Sequence, residues 1–235
     1  MAGLLFILSA PSGSGKSTLV GQLRSMVDKL SFSISWTTRA PRGSEQDGRE
    51  YHFSSRETFE KMLAEDDFLE HAEVFGNYYG TARSALKVAA ERGSDVLLDI
   101  DVQGATQVRQ KIPEAISIFI LPPNPQVLEM RLRNRSRAEG GVSEETVLRR
   151  LAQARVEIEN YREYRYIVIN DVLDQAVEEL IAIVHAERAL AHAETCSDAD
   201  STADTQRWMA IAQQCVQTNV TERLRPVLAS FGFPS

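Results

Sequence analysis

A chain of 235 residues, 43% hydrophobic and 25% charged, has an ordinary globular composition, and its length suits one large α/β domain or a core with small inserted pieces. The formal net charge of −7 argues against a general nucleic-acid binder, although a local basic cluster can still hold phosphates. No run approaches the ~20 apolar residues of a membrane span, and the first apolar run is too short, and lacks a preceding basic region, for a signal peptide. These features predict a cytoplasmic protein with no membrane or nucleic-acid partner. The two cysteines, Cys196 and Cys215, read as free thiols in a reducing compartment.

In chain order, Leu4–Leu8 reads as a buried strand, followed by a glycine-rich turn and a helical pattern over 17–30. Residues 32–85 break the alternation. Short strands at Phe32-Ser33-Ile34 and Tyr51-His52-Phe53 flank a loop rich in Gly, Arg and Glu, and Ser54 with Glu57 predicts a capping box that opens a helix through Glu65. Then come a strand at Val96–Ile100, a helix over 102–111, a strand at Ile116–Leu121 and a helix over 124–135. Arg131–Arg155 is dense in arginine and carries Gly140-Gly141, with a helix restarting at Ser143 under its own hydroxyl cap. A strand at Tyr166–Ile169 and a helix over 173–190 follow. No internal repeat is present. Four near-continuous apolar strands separated by helices predict a parallel sheet covered on both faces. Beyond His192, Thr195–Thr205 reads as a linker, and Trp208, Ile211, Ala212 and Cys215 fall at helical spacing. That tail is open to three readings: a packed extra helix, a contact in a homo-oligomer, or a disordered extension.

The turn after the first strand, Ala10-Pro11-Ser12-Gly13-Ser14-Gly15-Lys16-Ser17-Thr18, carries the strongest chemical signal. Strand, glycine-rich loop and helix in that order make a phosphate cradle of inward N–H groups at the positive end of a helix. Lys16 would reach the β/γ-phosphates and Ser17 would place its hydroxyl on Mg²⁺. The full pattern asks for glycine where Ala10 stands. Asp99 and Asp101 close a strand, where a carboxylate beside a phosphate loop can orient a ligand or hold Mg²⁺, though an isolated Asp there is more often a cap. Arg39 and Arg42 flank Pro41, two guanidiniums suited to clamping a phosphate monoester, with Tyr51 and Tyr79 as further donors.

With Phe68-Leu69-Glu70-His71-Ala72-Glu73 and Gly76-Asn77-Tyr78-Tyr79-Gly80-Thr81 added, the chain resembles the guanylate kinase family. The resemblance runs from the phosphate loop through Thr37-Thr38-Arg39-Ala40-Pro41-Arg42 and Leu98-Asp99-Ile100-Asp101-Val102-Gln103-Gly104 to Asn170-Asp171, covering roughly residues 3–190. Alanine at position 10 is an accepted variant there. The resemblance implies an α/β P-loop three-layer fold with a central parallel sheet. It implies a core at 1–34, 84–125 and 163–192, a mixed α+β GMP-binding subdomain at 35–83, a helical lid at 126–162, and an extension at 193–235 that no resemblance covers. It implies transfer of the γ-phosphoryl of ATP to GMP, extending to dGMP, with Mg²⁺.

The resemblance also implies residue roles. ATP is held by residues Ala10 to Thr18 and by Asn170, which lines the adenine pocket. GMP is held by Ser35, Arg39, Arg42, Tyr51, Glu70, Tyr79, Thr81, Asp99 and Asp101. Glu70 reads guanine, since a carboxylate only accepts and guanine offers donors at N1 and N2 where adenine has none. The catalytic set is Lys16, Arg39, Arg42, Arg135 and Arg150, with Arg131 also closing over the transferring group. Mg²⁺ rests on Ser17 and, indirectly, on Asp99. No general base is needed and the histidines are structural. The loop from Arg135 to Ser143 is about four residues longer than the family's, which leaves Arg135 and Arg137 alternative for one role. Two other classes compete: a phosphopeptide-binding scaffold module, disfavoured by Lys16, Ser17, Arg135 and Arg150, and a kinase for another base, disfavoured by Glu70 and Ser35. Closure of the two inserted pieces on substrate is expected from the family.

Overall fold

The computed structural model describes residues 3–74, 76–138, 143–195 and 202–233. The chain enters through strand β1 (Leu5–Ser9), helix α1 (Lys16–Met26), strands β2 (Leu30–Ser33), β3 (Trp36–Thr37) and β4 (His52–Phe53), and helix α2 (Arg56–Ala64). It continues through β5 (Phe68–Val74), β6 (Asn77–Ala82), α3 (Ser84–Glu91), β7 (Asp95–Asp99), α4 (Val102–Lys111) and β8 (Ile116–Leu121). Helices α5 (Pro125–Ala138) and α6 (Glu144–Ile158), strand β9 (Tyr166–Ile169), and helices α7 (Leu173–Thr195), α8 (Ala203–Cys215) and α9 (Thr221–Ser230) complete it. It divides into two compact units, Met1–Ser9 with Lys29–Ser117, and Ala10–Asp28 with Ile118–Ser235. Among the described residues, no helix is long and apolar enough to cross a membrane.

In the first unit β2, β7 and β1 lie parallel in that order, with Leu30 opposite Asp95 and Leu5 opposite Val96. The apolar runs of β1 and β7 are buried on both faces, as parallel strands require. The Asp95 carboxylate accepts the Leu4 N–H at 2.7 Å and ties down the entry of β1. Here the expectation for Phe32-Ser33-Ile34 is corrected: these residues are not a strand of the inserted piece, because Leu30–Ser33 pair with β7 in the parallel sheet. As the outer member of that trio β2 is only half-buried, so its sequence is less apolar than its neighbours'. Helix α1 also stops short of the predicted residue 30, since Lys29 turns to φ 55° and directs the chain into β2.

A second sheet, ordered β4-β3-β6-β5, occupies the same unit, with β5 and β6 antiparallel. The predicted cap of α2 moves by one residue. The cap is Ser55 rather than Ser54: Ser55 is extended and accepts the Thr58 N–H at 3.1 Å. Glu57 then lies in the first turn, where its charge suits the helix dipole, without closing a box. Helix α3 has no counterpart in the sequence reading.

In the second unit β8 and β9 pair in parallel, Ile118 opposite Tyr166 through Leu121 opposite Ile169. The Ser143 hydroxyl caps α6 by accepting the Thr146 N–H at 3.3 Å, as the sequence predicts. Arg133 joins α5 to α6 by reaching Glu129 at 2.8 Å and Glu144 at 2.5 Å. Gly140-Gly141, within 139–142, lie outside the described residues, as does Cys196, while the first part of the lengthened loop, Arg135 to Ala138, is corrected to the last turn of α5. The linker reading over 195–205 also falls largely outside them, and α8 has already begun at Ala203 under a Thr202 cap.

The described tail is packed. The Trp208 ring stacks on His185 of α7, Arg207 pairs with Glu178, and Arg223 of α9 reaches the buried Glu179 at 2.5 Å. The Gln217 N–H donates to the Arg165 carbonyl at the start of β9 at 2.9 Å. Cys215 is a free, fully buried thiol, pushed up to about 12 by burial and then by Glu179.

Candidate active site

The phosphate loop belongs to the second unit. The Ser14 N–H closes a turn on the Pro11 carbonyl at 3.1 Å, and Gly13 and Gly15 both hold φ 90°, which a side chain would strain. Gly15 sits at the N-cap of α1 and offers no side-chain cap, so the positive end of the helix opens at this loop. Space forbids a side chain as well. A Cβ on Gly15 would stand 2.4 Å from the Asn170 amide nitrogen, and one on Gly13 would stand 2.8 Å from Leu132.

Asn170, at the end of β9 and buried, donates through Nδ2 to the Ser14 carbonyl at 2.7 Å. Arg131 of α5 donates through Nη1 to the same carbonyl and through Nη2 to the Asn170 carbonyl, both at 3.1 Å. Burial draws the Arg131 guanidinium below its usual value, partly offset by Asp171. Asn170 and Arg131 thus buttress the loop from beneath, a place that the sequence reading did not give them. Lys16 is half-buried, and Ser17 and Thr18 are exposed in the first turn of α1. Arg135 lies exposed in the last turn of α5, and Arg150 is half-buried on α6.

The residues expected to hold the second nucleotide, Ser35 to Asp101, lie in the first unit. Between Phe68 and Glu70 the β5–β6 register shifts, and beyond the shift Glu70 stands opposite Thr81. Bulges of this kind re-aim a side chain, and here they set Glu70 and Thr81 side by side. The Thr81 hydroxyl donates to Glu70 Oε1 at 2.6 Å. Glu70 is only 3% exposed, and burial raises its carboxyl to about 7 against the pull of Thr81, with the nearby charge of Asp101 adding to the rise.

Helix α4 closes the other side. A Cβ on Gly104 would stand 2.3 Å from Glu70 Oε2, so only glycine leaves the carboxylate its place. Asp101 caps α4 by accepting the Gly104 N–H at 2.8 Å, the bland role of a strand-end Asp. Gln107 accepts from the His71 N–H at 3.2 Å and donates to the His71 carbonyl at 2.6 Å, and Lys111 donates to the Leu69 carbonyl at 2.6 Å. Glu70 is thus flanked along β5 by backbone anchored to α4.

The arginine loop is laced to β6. Thr37 Oγ1 donates to the Tyr78 carbonyl at 2.9 Å and accepts the Arg39 N–H at 3.1 Å, while Thr38 Oγ1 accepts the Tyr78 N–H at 2.9 Å. The Arg39 guanidinium lies over the Tyr51 ring at 5.2 Å, and Tyr51 meets Tyr79 edge-on at 5.9 Å. Arg39 is 9% exposed, yet contacts from Glu45 and Tyr79 hold its guanidinium above its usual value despite burial. Three expected phosphate ligands, Arg39, Tyr51 and Tyr79, therefore meet. Arg42 is exposed beside them, and Ser35 and Asp99 are half-buried. Sequence reasoning missed Glu45, Gln107 and Lys111. Glu45 gave one signal, an acid six residues after Arg39 in a loop of known charge. The described histidines do not converge: His52 lies tilted at 33° against Trp36, and His185 stacks on Trp208.

The family model described as guanylate kinase matches residues 3–187. The chain belongs to the guanylate kinase family. It is 51% identical over 231 residues to the guanylate kinase of Koribacter versatilis, an alignment spanning 98% of this chain and 97% of that one. It is 50% identical over 189 residues to the guanylate kinase of Escherichia coli strain K12, spanning 79% of this chain and 89% of the other. The crystal structure of guanylate kinase from Anaplasma phagocytophilum superimposes with a TM-score of 0.65 at 33% identity, covering 79% of this chain and 86% of that one. The alignment to the Koribacter protein is the one of these that extends through the tail. The chain is an enzyme of the nucleoside monophosphate kinase kind, using ATP.

Proposed function

We propose that this chain transfers the γ-phosphoryl group of ATP to GMP, and also to dGMP, giving ADP and GDP or dGDP. The observation that carries this reading is Glu70, a buried carboxylate with one oxygen held by Thr81 and the other against Gly104. A carboxylate offers acceptors only. Guanine presents N1–H and N2–H donors to it, and adenine would leave it buried and unpaired, which costs about 1–3 kcal/mol or more. Ser35 would reach the guanine carbonyl oxygen, and Thr81 would make a second contact with the base.

The phosphate of GMP goes to Arg39, Arg42, Tyr51 and Tyr79. Its second pKa is about 6, so it arrives as a ready nucleophile and needs no base. Lys16 and the N–H groups from Ala10 to Thr18 hold the β- and γ-phosphates of ATP, with Asn170 supporting the loop. Arg135 and Arg150 of the lid at 126–162 supply positive charge where the equatorial oxygens accumulate negative charge. Asp99 and Asp101 stand beside the GMP subdomain at 35–83.

The residues suit Mg²⁺ carried in by the nucleotide. Among the described residues no three of His, Cys, Asp and Glu converge into a metal cage, and Mg²⁺ in such enzymes takes one or two protein oxygens together with substrate phosphates. Ser17 would hold it, with Asp99 as an indirect contact, and it would supply positive charge to the nucleotide phosphates. A coupled ADP-release assay with ATP, Mg²⁺ and GMP, AMP, CMP or UMP tests the reading. Release with GMP alone is expected. No release with any acceptor, from folded protein, overturns it in favour of a binding module.

A further inference from the structure

We infer that Glu45 is a positioning residue for the GMP phosphate, one carboxylate that aligns both clamp arginines before substrate arrives. The inference rests on the proposed transfer to GMP. Glu45 takes Arg39 end-on: Nη1 donates to Oε2 at 2.9 Å and Nη2 to Oε1 at 3.0 Å. The same Oε2 accepts the Arg42 backbone N–H at 2.8 Å, and the Glu45 N–H returns a bond to the Arg42 carbonyl at 3.0 Å. A single side chain therefore fixes the head of one arginine and the backbone of the next.

Donor counting gives this geometry its meaning. A guanidinium has five N–H groups. Nη1 spends both of its hydrogens, on Glu45 and on the Ala40 carbonyl at 2.7 Å, and Nη2 spends one on Glu45. The Nε–H and the second Nη2–H face away from Glu45 and Ala40, while the guanidinium also hydrogen-bonds the Tyr79 side chain, itself an expected phosphate ligand. They lie side by side on one edge, the spacing that two phosphate oxygens accept as a fork. Tyr79 bears on the same group, and Tyr51 and Phe53 face it at 5.2 and 5.7 Å, which restricts its rotation. Glu45 thus selects which edge of Arg39 meets the substrate. It also offsets the repulsion between two cations held close together without ligand. A carboxylate that merely competed for the clamp would occupy Arg39 without leaving a paired edge.

The test compares Glu45→Gln and Glu45→Asp with the unaltered enzyme. Gln turns an NH₂ toward a donor, and Asp keeps the charge but shortens the reach. Michaelis constants for GMP and ATP are measured with the inhibition constant of guanosine, which carries the base without the phosphate. For Glu45→Gln the GMP KM is expected to rise about tenfold or more, the worth of one charge-assisted hydrogen bond. The ATP KM and the guanosine constant should stay within about twofold, a factor worth only ~0.4 kcal/mol, and Glu45→Asp should recover part of the loss. A merely structural role would move guanosine and GMP together. A GMP KM that falls would show that Glu45 competes with phosphate, and an unchanged one that it does nothing for the clamp; either overturns the inference. If the unaltered enzyme itself fails to use GMP, it is the proposed function that falls.

Discussion

Replacing Glu70 by Gln removes a titrating group whose folded value lies far from its unfolded one, and the consequence can be worked out in sign and size. The carboxyl is 3% exposed and is raised from 4.5 to about 7 by burial. The folded state therefore keeps a proton that the unfolded chain releases between pH 4.5 and 7. Stability falls as pH rises through that window, because the folded state binds more protons than the unfolded one, and it levels off above pH 7. At 1.36 kcal/mol per unit the loss is about 3 kcal/mol. Thermal unfolding of ligand-free protein should show the midpoint of Glu70→Gln gaining on the unaltered enzyme by roughly 2–4 °C per kcal/mol across this window. Base recognition runs the other way. The ionised carboxylate accepts from guanine, so guanosine inhibition should weaken below about pH 7 in the unaltered enzyme and stay flat in Glu70→Gln. Guanosine is the right probe, since the GMP phosphate titrates near 6 on its own account. Above pH 7 the Gln variant should bind GMP about a hundredfold more weakly, two charge-assisted bonds lost at ~1.5 kcal/mol each. A difference in midpoint that does not change between pH 4.5 and 7, with guanosine constants parallel in the two proteins, would refute the reasoning.

Lys16→Ala should all but abolish turnover in the ADP-release assay while the unfolding midpoint stays within about a degree, because an exposed or half-buried substitution without packing loss costs little. Gly104→Ala drives a methyl to 2.3 Å from Glu70 Oε2. It should raise the GMP KM, leave the ATP KM near its original value and cost about 1–3 kcal/mol by overpacking, all readable from kinetics and urea unfolding. Arg223→Ala strands the buried Glu179 carboxylate, whose proton affinity is already raised by burial. A destabilisation of about 1–3 kcal/mol is expected, with kcat for GMP unchanged; equal stability would show that the Arg223–Glu179 pair contributes nothing to the second unit.

The sequence alone determined the repeating parts. Runs such as Leu97-Leu98 and Ile118-Phe119-Ile120 announce buried parallel strands because every position is apolar, and α4 and α6 are legible from 3.6-residue spacing and cap chemistry. The phosphate loop is equally local, since two glycines, a lysine and a helix start must be contiguous to make the cradle. The cap of α2 differs by one residue, Ser55 in place of Ser54, because it is the Ser55 hydroxyl that accepts the Thr58 N–H.

Only the tertiary structure decided where the functional groups find their partners. Asn170 supports Ser14 from 156 positions away, and Gln107 and Lys111 reach β5 across 36 and 42. Periodicity cannot encode such pairs, because sheet register and helix packing determine them. The bulge that sets Glu70 against Thr81, and the closeness of Gly104 that burial makes necessary, are likewise properties of packed strands. Helical spacing of Trp208, Ile211, Ala212 and Cys215 showed that the tail has an apolar face. What covers that face, α7 with Glu179 answered by Arg223, had to come from the fold, because a helix signals that it needs a partner but not which one.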